Sequence, residues 1–534
     1  MPASSVVSTF KRRDARTVLN EQASPELIFA VVGPVGSGTT WVAEALATLS
    51  KASIEGAEIK IIKASTVIEN AAKQNGNEIA AEAARLTRAT FLQDAGDNLR
   101  KEDTAAVGSL LVSAIKAARI EWDDSDAAAG VTQLHAGEGI PKKAQRIYVL
   151  DSLKHPAEVK LLRAVYREAF CLIGVVCDTT TRKKRLQDGK CSDSSSAQID
   201  VFMRRDEDAS DKWGQHVSDT FHLADFFVDN TPDRYVDQAK KIENKEWVVS
   251  EKLGRLLDIL IGEKIVRPTP SEIGMFHATG AQMRSACLSR QVGAALTDNK
   301  GNLISTGTNE VPRFGGGVYG GQLGLEVETE SIDHRCAITN KYCSNTRVQD
   351  EMITEVINAI PALRNIPDQK KIREELKKTA LGRLLEFSRA VHAEMDALLS
   401  AARAGAPTVG TKLFVTTFPC HYCARHVVSA GVEEVQYIEP YPKSRAFELH
   451  SDAIEQTFTK WLANPQAKPT KVLFRPFTGV APKLYARAFM KHRKLKNELG
   501  ELHVAPPEWA TGLLEKSYRQ LETSLEEGPD NDKK

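Results

Sequence analysis

A chain of 534 residues is too long for one ordinary hydrophobic core, so two or three domains are expected. With 42% hydrophobic and 26% charged residues it has the composition of a soluble globular protein, and a net charge of +1 gives no support for a broad polyanion-binding surface. Eight cysteines do not make a disulfide scaffold at this length, residues 1–20 lack an apolar signal-peptide core, and no run approaches a membrane span; a cytoplasmic protein is expected.

The first element after the tail 1–24 is LIFAVV, Leu27 to Val32, an apolar run of strand type. It ends in GPVGSGTT, Gly33 to Thr40, and the helical pattern WVAEALATL follows. Strand, glycine loop and helix form the setting of a phosphate-binding P-loop. Gly33, Gly36 and Gly38 would let the backbone around Ser37 turn its N–H groups toward phosphates, and Thr39 or Thr40 would offer a hydroxyl to Mg2+. The lysine that usually precedes the last hydroxyl residue is Thr39 here, so phosphoryl transfer by this half is not expected. A tight strand-to-helix turn without a ligand is the plainer alternative.

Further strand-like runs are RIYVLD (Arg146 to Asp151), FCLIGVVCD (Phe170 to Asp178) and ADFFVDN (Ala224 to Asn230). Asp151 suits a supporting role at magnesium, or equally a helix N-cap or a surface position. Arg182, Arg185, Arg204 and Arg205 bracket a polar segment and read either as phosphate-facing or as a solvated charged face. Apolar runs alternating with helical patterns predict an α/β fold, a doubly wound parallel sheet, over 25–266. This order resembles nucleoside monophosphate kinases and related P-loop proteins, with the basic segment at the place of their lid. The resemblance implies nucleotide binding.

RPTPSE, Arg267 to Glu272, has two prolines and no apolar residue and is the expected linker. Beyond it, RQVGAALTD and NLISTGTNEVP flank a glycine-containing turn, the pattern of a β-hairpin. After Glu310 comes a long insertion that starts RFGGGVYGG, a flap that closes over a substrate or merely connects elements. Within it His334, Cys336 and Cys343 have a spacing suited to a second zinc, although no fourth ligand is evident and an ordinary loop accounts for them as well.

The stretch VHAEMDALL, a strand-like KLFVTTF and then PCHYC, from His392 to Cys423, reads as a zinc site. If Pro419 starts a helix, Cys420 and Cys423 lie on one face of its first turn, where the helix dipole favours thiolates. His392 supplies a third ligand and leaves a position for water. Glu394, two residues after the histidine, can stand beside that water and move its proton without binding metal. C-x-x-C alone would fit a redox dithiol; H-x-E followed by P-C-x-x-C is the pattern of zinc deaminases acting on cytosine or adenine.

SRQVGA, STGTNEVP, VHAEMDALL, FVTTFPCHYCA and YIEPYPKS, in this order over roughly residues 272–460, resemble the deoxycytidylate deaminases. The resemblance implies a cytidine-deaminase-like α/β/α sandwich over 273–480, zinc between two helix starts, an oligomer, and a free deoxycytidine nucleotide as substrate. It assigns His392, Cys420 and Cys423 to zinc, Glu394 to proton transfer and Asn309 to the sugar; Arg290, Tyr441 and Lys443 are further candidates for the phosphate and ring ends. A P-loop half ahead of such a domain resembles the bacterial anti-phage deoxycytidine nucleotide deaminases. That resemblance implies conversion of dCTP, and in some members dCMP, to the uracil nucleotide, with the first half sensing infection through a regulatory nucleotide or a phage-derived signal.

Residues 481–534 read as a helical extension with a basic stretch, KLYARAFMKHRKLKN, and a disordered end, EGPDNDKK. Two rivals stay open. A polynucleotide cytidine deaminase would share the zinc pattern, but nucleic acid is disfavoured by the neutral charge and the lack of interleaved aromatic and basic residues. A nucleotide sensor with structural zinc and no enzymatic activity would rest on the P-loop half alone.

Overall fold

Glu26–Val32 (β1) is buried along its whole length, as is Phe170–Val176 (β4). Such uninterrupted apolar runs need cover on both faces, which a parallel sheet flanked by helices provides. In a computed structural model of the chain, the described residues are 26–80, 83–128, 145–319, 342–457, 461, 470–491 and 496–502, less positions 190, 193, 210, 238, 239, 241, 246, 263, 385, 442 and 443. The chain divides into two compact units, one running to Arg267 and resuming at Thr478, the other Pro268–Phe477.

In the first unit β1 and β4 join Glu58–Lys63 (β2), Arg146–Asp151 (β3) and Phe226–Asp229 (β5) in the order β2–β3–β1–β4–β5, all parallel. Strand β2 escaped the sequence reading because EIKIIK is an edge strand whose lysines break the apolar run. The far edge also differs from expectation. Gly479–Val480 adds antiparallel to β5, and the Ala481 amide donates to the Asp225 carbonyl at 2.9 Å, so the second unit ends at Phe477 rather than at 480. A two-residue strand leaves no periodic trace in a sequence. The expected extension begins as the helix Pro482–Phe489.

Helix Thr39–Ser53 (α1) follows β1 directly, while Thr179–Asp188 (α2) and Ser196–Glu207 (α3) carry the arginines of the basic segment. The expected linker is corrected too: Pro270–Gln282 is a helix (α4), and Pro270 to Glu272 are its first turn. The Glu272 amide donates to Thr269 Oγ1 at 3.2 Å, and the Thr269 amide donates to the Glu272 carboxylate at 2.7 Å. This capping box satisfies two backbone donors, and proline at the first helical position starts the helix instead of breaking it.

The second unit holds the predicted hairpin, Gly293–Thr297 (β6) with Leu303–Thr308 (β7). Ser344–Ala359 (α5) occupies part of the insertion, and Ala393–Arg403 (α6) leads to Lys412–Thr417 (β8). His421–Ser429 (α7) then leads to Glu434–Glu439 (β9), and Ile454–Glu455 (β10) and Val472–Pro476 (β11) complete the sheet. Its order is β10–β11–β9–β8–β6–β7; β8 to β11 run parallel and β6 is antiparallel to both neighbours. Both sheets are thus dominated by parallel pairs, in a mixed α/β chain. Among the described residues no helix is long and apolar enough to cross a membrane.

One glycine fixes where the metal-site helix lies. A Cβ on Gly307 would stand 2.1 Å from the Ala393 carbonyl oxygen and 2.2 Å from the Ala397 amide nitrogen, so helix α6 rests directly on β7. The Thr308 amide donates to buried Asp396 at 3.0 Å and locks the same contact. Gly307→Val must push backbone from backbone, a change at the upper end of the ~1–3 kcal/mol that overpacking costs. We expect the second unit to melt roughly 5–10 °C lower, measured by differential scanning calorimetry. An unchanged melting temperature would show that α6 moves off the strand freely.

Candidate metal centre and active-site cleft

His392 is the N-cap of α6, and Cys420 is the N-cap of α7 with Cys423 in its first turn. The helix therefore starts after Cys420 rather than at Pro419, and both cysteines still stand at its N-terminal end. His392 Nδ1 lies 3.4 Å from each sulfur, and the three ligand atoms are all within 4.8 Å of one another. Ordinary zinc–nitrogen and zinc–sulfur bonds at tetrahedral angles would separate N and S by about 3.5 Å, so the trio fits Zn2+. Cys420 is favoured as thiolate, pulled down to about 4 by a hydrogen bond from the Cys423 thiol and further by His392. The same pairing raises His392 and Cys423.

Glu394 follows on the first turn of α6, only 4% exposed. Burial pushes its carboxyl up to about 7, the Cys420 charge adds to this, and His392 opposes it. Glu394, His392 and Cys420 open together into a cleft of about 510 Å³. Asn309, Arg290 and Tyr441 line it as well; Lys443 lies outside the described residues.

Asn309 does more holding than its predicted role implies. Its side-chain amide donates to the Arg290 carbonyl at 2.6 Å and accepts from the Val292 amide at 2.6 Å, shaping the cleft wall. The Arg290 guanidinium pairs with Glu439 and stands 5.6 Å from the Tyr441 ring centre. Three lining features had not been singled out. Glu310 is a buried carboxylate that accepts from the Ala286 and Val311 amides, each at 2.9 Å. Arg389 is exposed, and its backbone amide donates to Ser344 Oγ at 3.2 Å. The start of α5, Ser344 to Thr346, forms a further part of the wall.

Residues 271–439 match the family described as the cytidine and deoxycytidylate deaminase zinc-binding region. The second unit carries a deaminase-family zinc-binding domain. The ComE operon protein 2 of Bacillus subtilis is 41% identical over 54 residues, 10% of this chain and 29% of that protein. The deoxycytidylate deaminase of Enterobacteria phage T2 is 38% identical over 55 residues, again 10% and 29%. The structure of cyanophage S-TIM5 dCMP deaminase in complex with dCMP and dUMP aligns at 18% identity and TM-score 0.22, covering 40% of this chain and 99% of that one. The chain thus spans about three tenths of the length of these two curated relatives.

Among the described residues of this deaminase domain, the group able to hold a metal ion is His392, Cys420 and Cys423. Cys343 caps α5 with its sulfur 3.2 Å from Thr346 Oγ1, while His334 and Cys336 lie outside the described residues.

In the first unit the glycine loop turns as its sequence requires, with φ of 83° at Gly36 and 81° at Gly38, both in the left-handed region. Thr39 begins α1, and Thr40 Oγ1 donates to Asp151 at 2.7 Å, so loop and acid are brought together. Most of the bracketing arginines are committed elsewhere: Arg182 to Glu207, Arg185 to Asp233 and the Trp41 ring, Arg205 to Asp94 and Asp97. Arg204 is exposed.

Proposed function

We propose that the deaminase domain hydrolyses the 4-amino group of a free deoxycytidine nucleotide, turning dCTP into dUTP and dCMP into dUMP. The observation that carries this reading is the buried carboxylate of Glu394 sharing one cleft with a His–Cys–Cys group of zinc-binding geometry. Zinc held by His392, Cys420 and Cys423 would supply a Lewis acid that makes water nucleophilic near neutral pH. Glu394 accepts the proton of the attacking water and delivers it to ring N3 as oxygen adds to C4. It then carries the second proton to the amino group, which leaves as ammonia while the C4 carbonyl forms. Asn309 holds the wall at the sugar end, and Arg290 and Arg389 offer cations to the phosphates.

In this reading the first unit binds a regulatory nucleotide with Mg2+ or another infection signal, the enzyme works as a homo-oligomer in the cytoplasm, and loss of dCTP starves phage DNA synthesis. The test is ammonia release by zinc-loaded protein given dCTP, dCMP or single-stranded DNA, with and without ATP, GTP or dTTP, repeated with phage-infected extract. Turnover of either nucleotide supports the reading; turnover of DNA alone would replace it with a polynucleotide deaminase.

Arg290→Ala separates the phosphate contact from the chemistry. A charge-assisted hydrogen bond is worth about 1.5–3 kcal/mol, so KM for the nucleotide should rise roughly ten- to hundredfold. Deoxycytidine, which has no phosphate, should be turned over as by the wild type. Equal losses on both substrates would make Arg290 a structural partner of Glu439.

A further inference from the structure

The glycine loop lacks a lysine at position 39, yet a lysine stands at the loop. Lys154 lies three residues beyond Asp151, the acid that receives the Thr40 hydroxyl. Its Nζ donates to the carbonyl of Gly33, the first loop residue, at 3.1 Å, and to Asp206 Oδ1 at 2.8 Å. The other carboxylate oxygen of Asp206 accepts from the Val35 amide at 2.7 Å. A loop amide and an ammonium thus hold one anion between them, and that anion is the protein's own side chain, 2% exposed.

A second observation comes from inside the loop. Ser37 is fully buried, and among the described residues its hydroxyl finds no hydrogen-bond partner. A Cβ on Gly33 would lie 2.5 Å from that oxygen, so the hydroxyl is folded over the start of the loop. A buried, unpaired donor in a glycine loop costs free energy that an incoming phosphate oxygen would recover.

We infer that Lys154 is the cation of a phosphate-binding site in the first unit, replacing the lysine absent at Thr39, and that Asp206 occupies that site until a nucleoside triphosphate displaces it. The inference rests on reading Gly33–Thr40 as a phosphate loop and is independent of the deaminase chemistry. The ammonium comes from the turn after β3, the strand beside β1, so its reach is set by strand pairing rather than by the loop's own sequence. A phosphate would take over the Val35 amide and the Lys154 ammonium from the carboxylate, and Asp206, on α3, would be released with that helix's side of the site.

The experiment is calorimetric titration of the full-length, zinc-loaded protein with inorganic tripolyphosphate, ATP and AMP in the presence of Mg2+. Lys154→Met should weaken tripolyphosphate and ATP by about tenfold or more and AMP by less, since a charge-assisted contact to the outer phosphates is lost. Lys154→Arg should bind nearly as the wild type does, and Asp206→Asn, which removes the competing charge, should bind more tightly. In the wild type, tripolyphosphate should shield Lys154 from acetylation, read by mass spectrometry; this arm stands if a variant fails to fold. Affinity that ignores Lys154→Met, or absence of shielding despite binding, overturns the lysine assignment alone. No binding of any phosphate by wild type or Asp206→Asn overturns the phosphate-loop reading with it.

Discussion

Glu394→Gln is expected to slow deamination of dCTP and dCMP by roughly a hundred- to ten-thousand-fold, the range that a positioned acid–base group contributes. The substitution keeps the volume of a buried side chain and removes its ability to take a proton, so packing around the start of α6 is preserved. Zinc content should stay at the wild-type value because the ligand atoms that converge belong to His392, Cys420 and Cys423. Ammonia release beside zinc analysis by atomic absorption checks both halves of the expectation. Activity within tenfold of the wild type would move proton transfer to another group. Loss of zinc would instead make Glu394 part of the coordination.

The parts of this architecture that were legible in the sequence are those whose physics is local. Helix starts present His392, Cys420 and Cys423; the C-x-x-C spacing after Pro419 points to a first turn for the two cysteines, whereas a helix start at His392 follows only from the family resemblance. The apolar runs of β1, β3 and β4 were equally readable, because continuous burial demands continuous apolar character. What escaped depends on distant segments meeting. Arg389 and the start of α5 share a cleft wall with Arg290 through chain folding that no short pattern encodes. Lys154 reaches Gly33 because two strands pair, and Gly479–Val480 finds β5 across nearly half of the chain. The helix at the expected linker is hidden for a different reason: the two prolines of RPTPSE read as breakers, yet Thr269 and Glu272 spell a capping box around a proline at the first helical position.

Cys423→Ala should cost the second unit its metal, its activity and part of its stability together. The mutation leaves two of three converging ligands, and removing one should weaken zinc binding well beyond the roughly ten- to hundredfold that loss of a mere supporting contact causes. The trio joins the starts of α6 and α7, so bound zinc also ties those two helices to each other. A ligand present at about a thousand times its Kd stabilises the folded state by about 4.1 kcal/mol, and chelated wild-type protein should forfeit that same amount. The decisive comparison is therefore between melting curves. Wild type treated with chelator and Cys423→Ala without it should unfold at nearly the same temperature, both below the zinc-loaded wild type. Cys287→Ala, which alters a cysteine in the same cleft but outside the converging trio, should keep its zinc. A Cys423→Ala protein that still carries one zinc per chain would mean that the metal sits elsewhere, and the deaminase reading of this cleft would go with it.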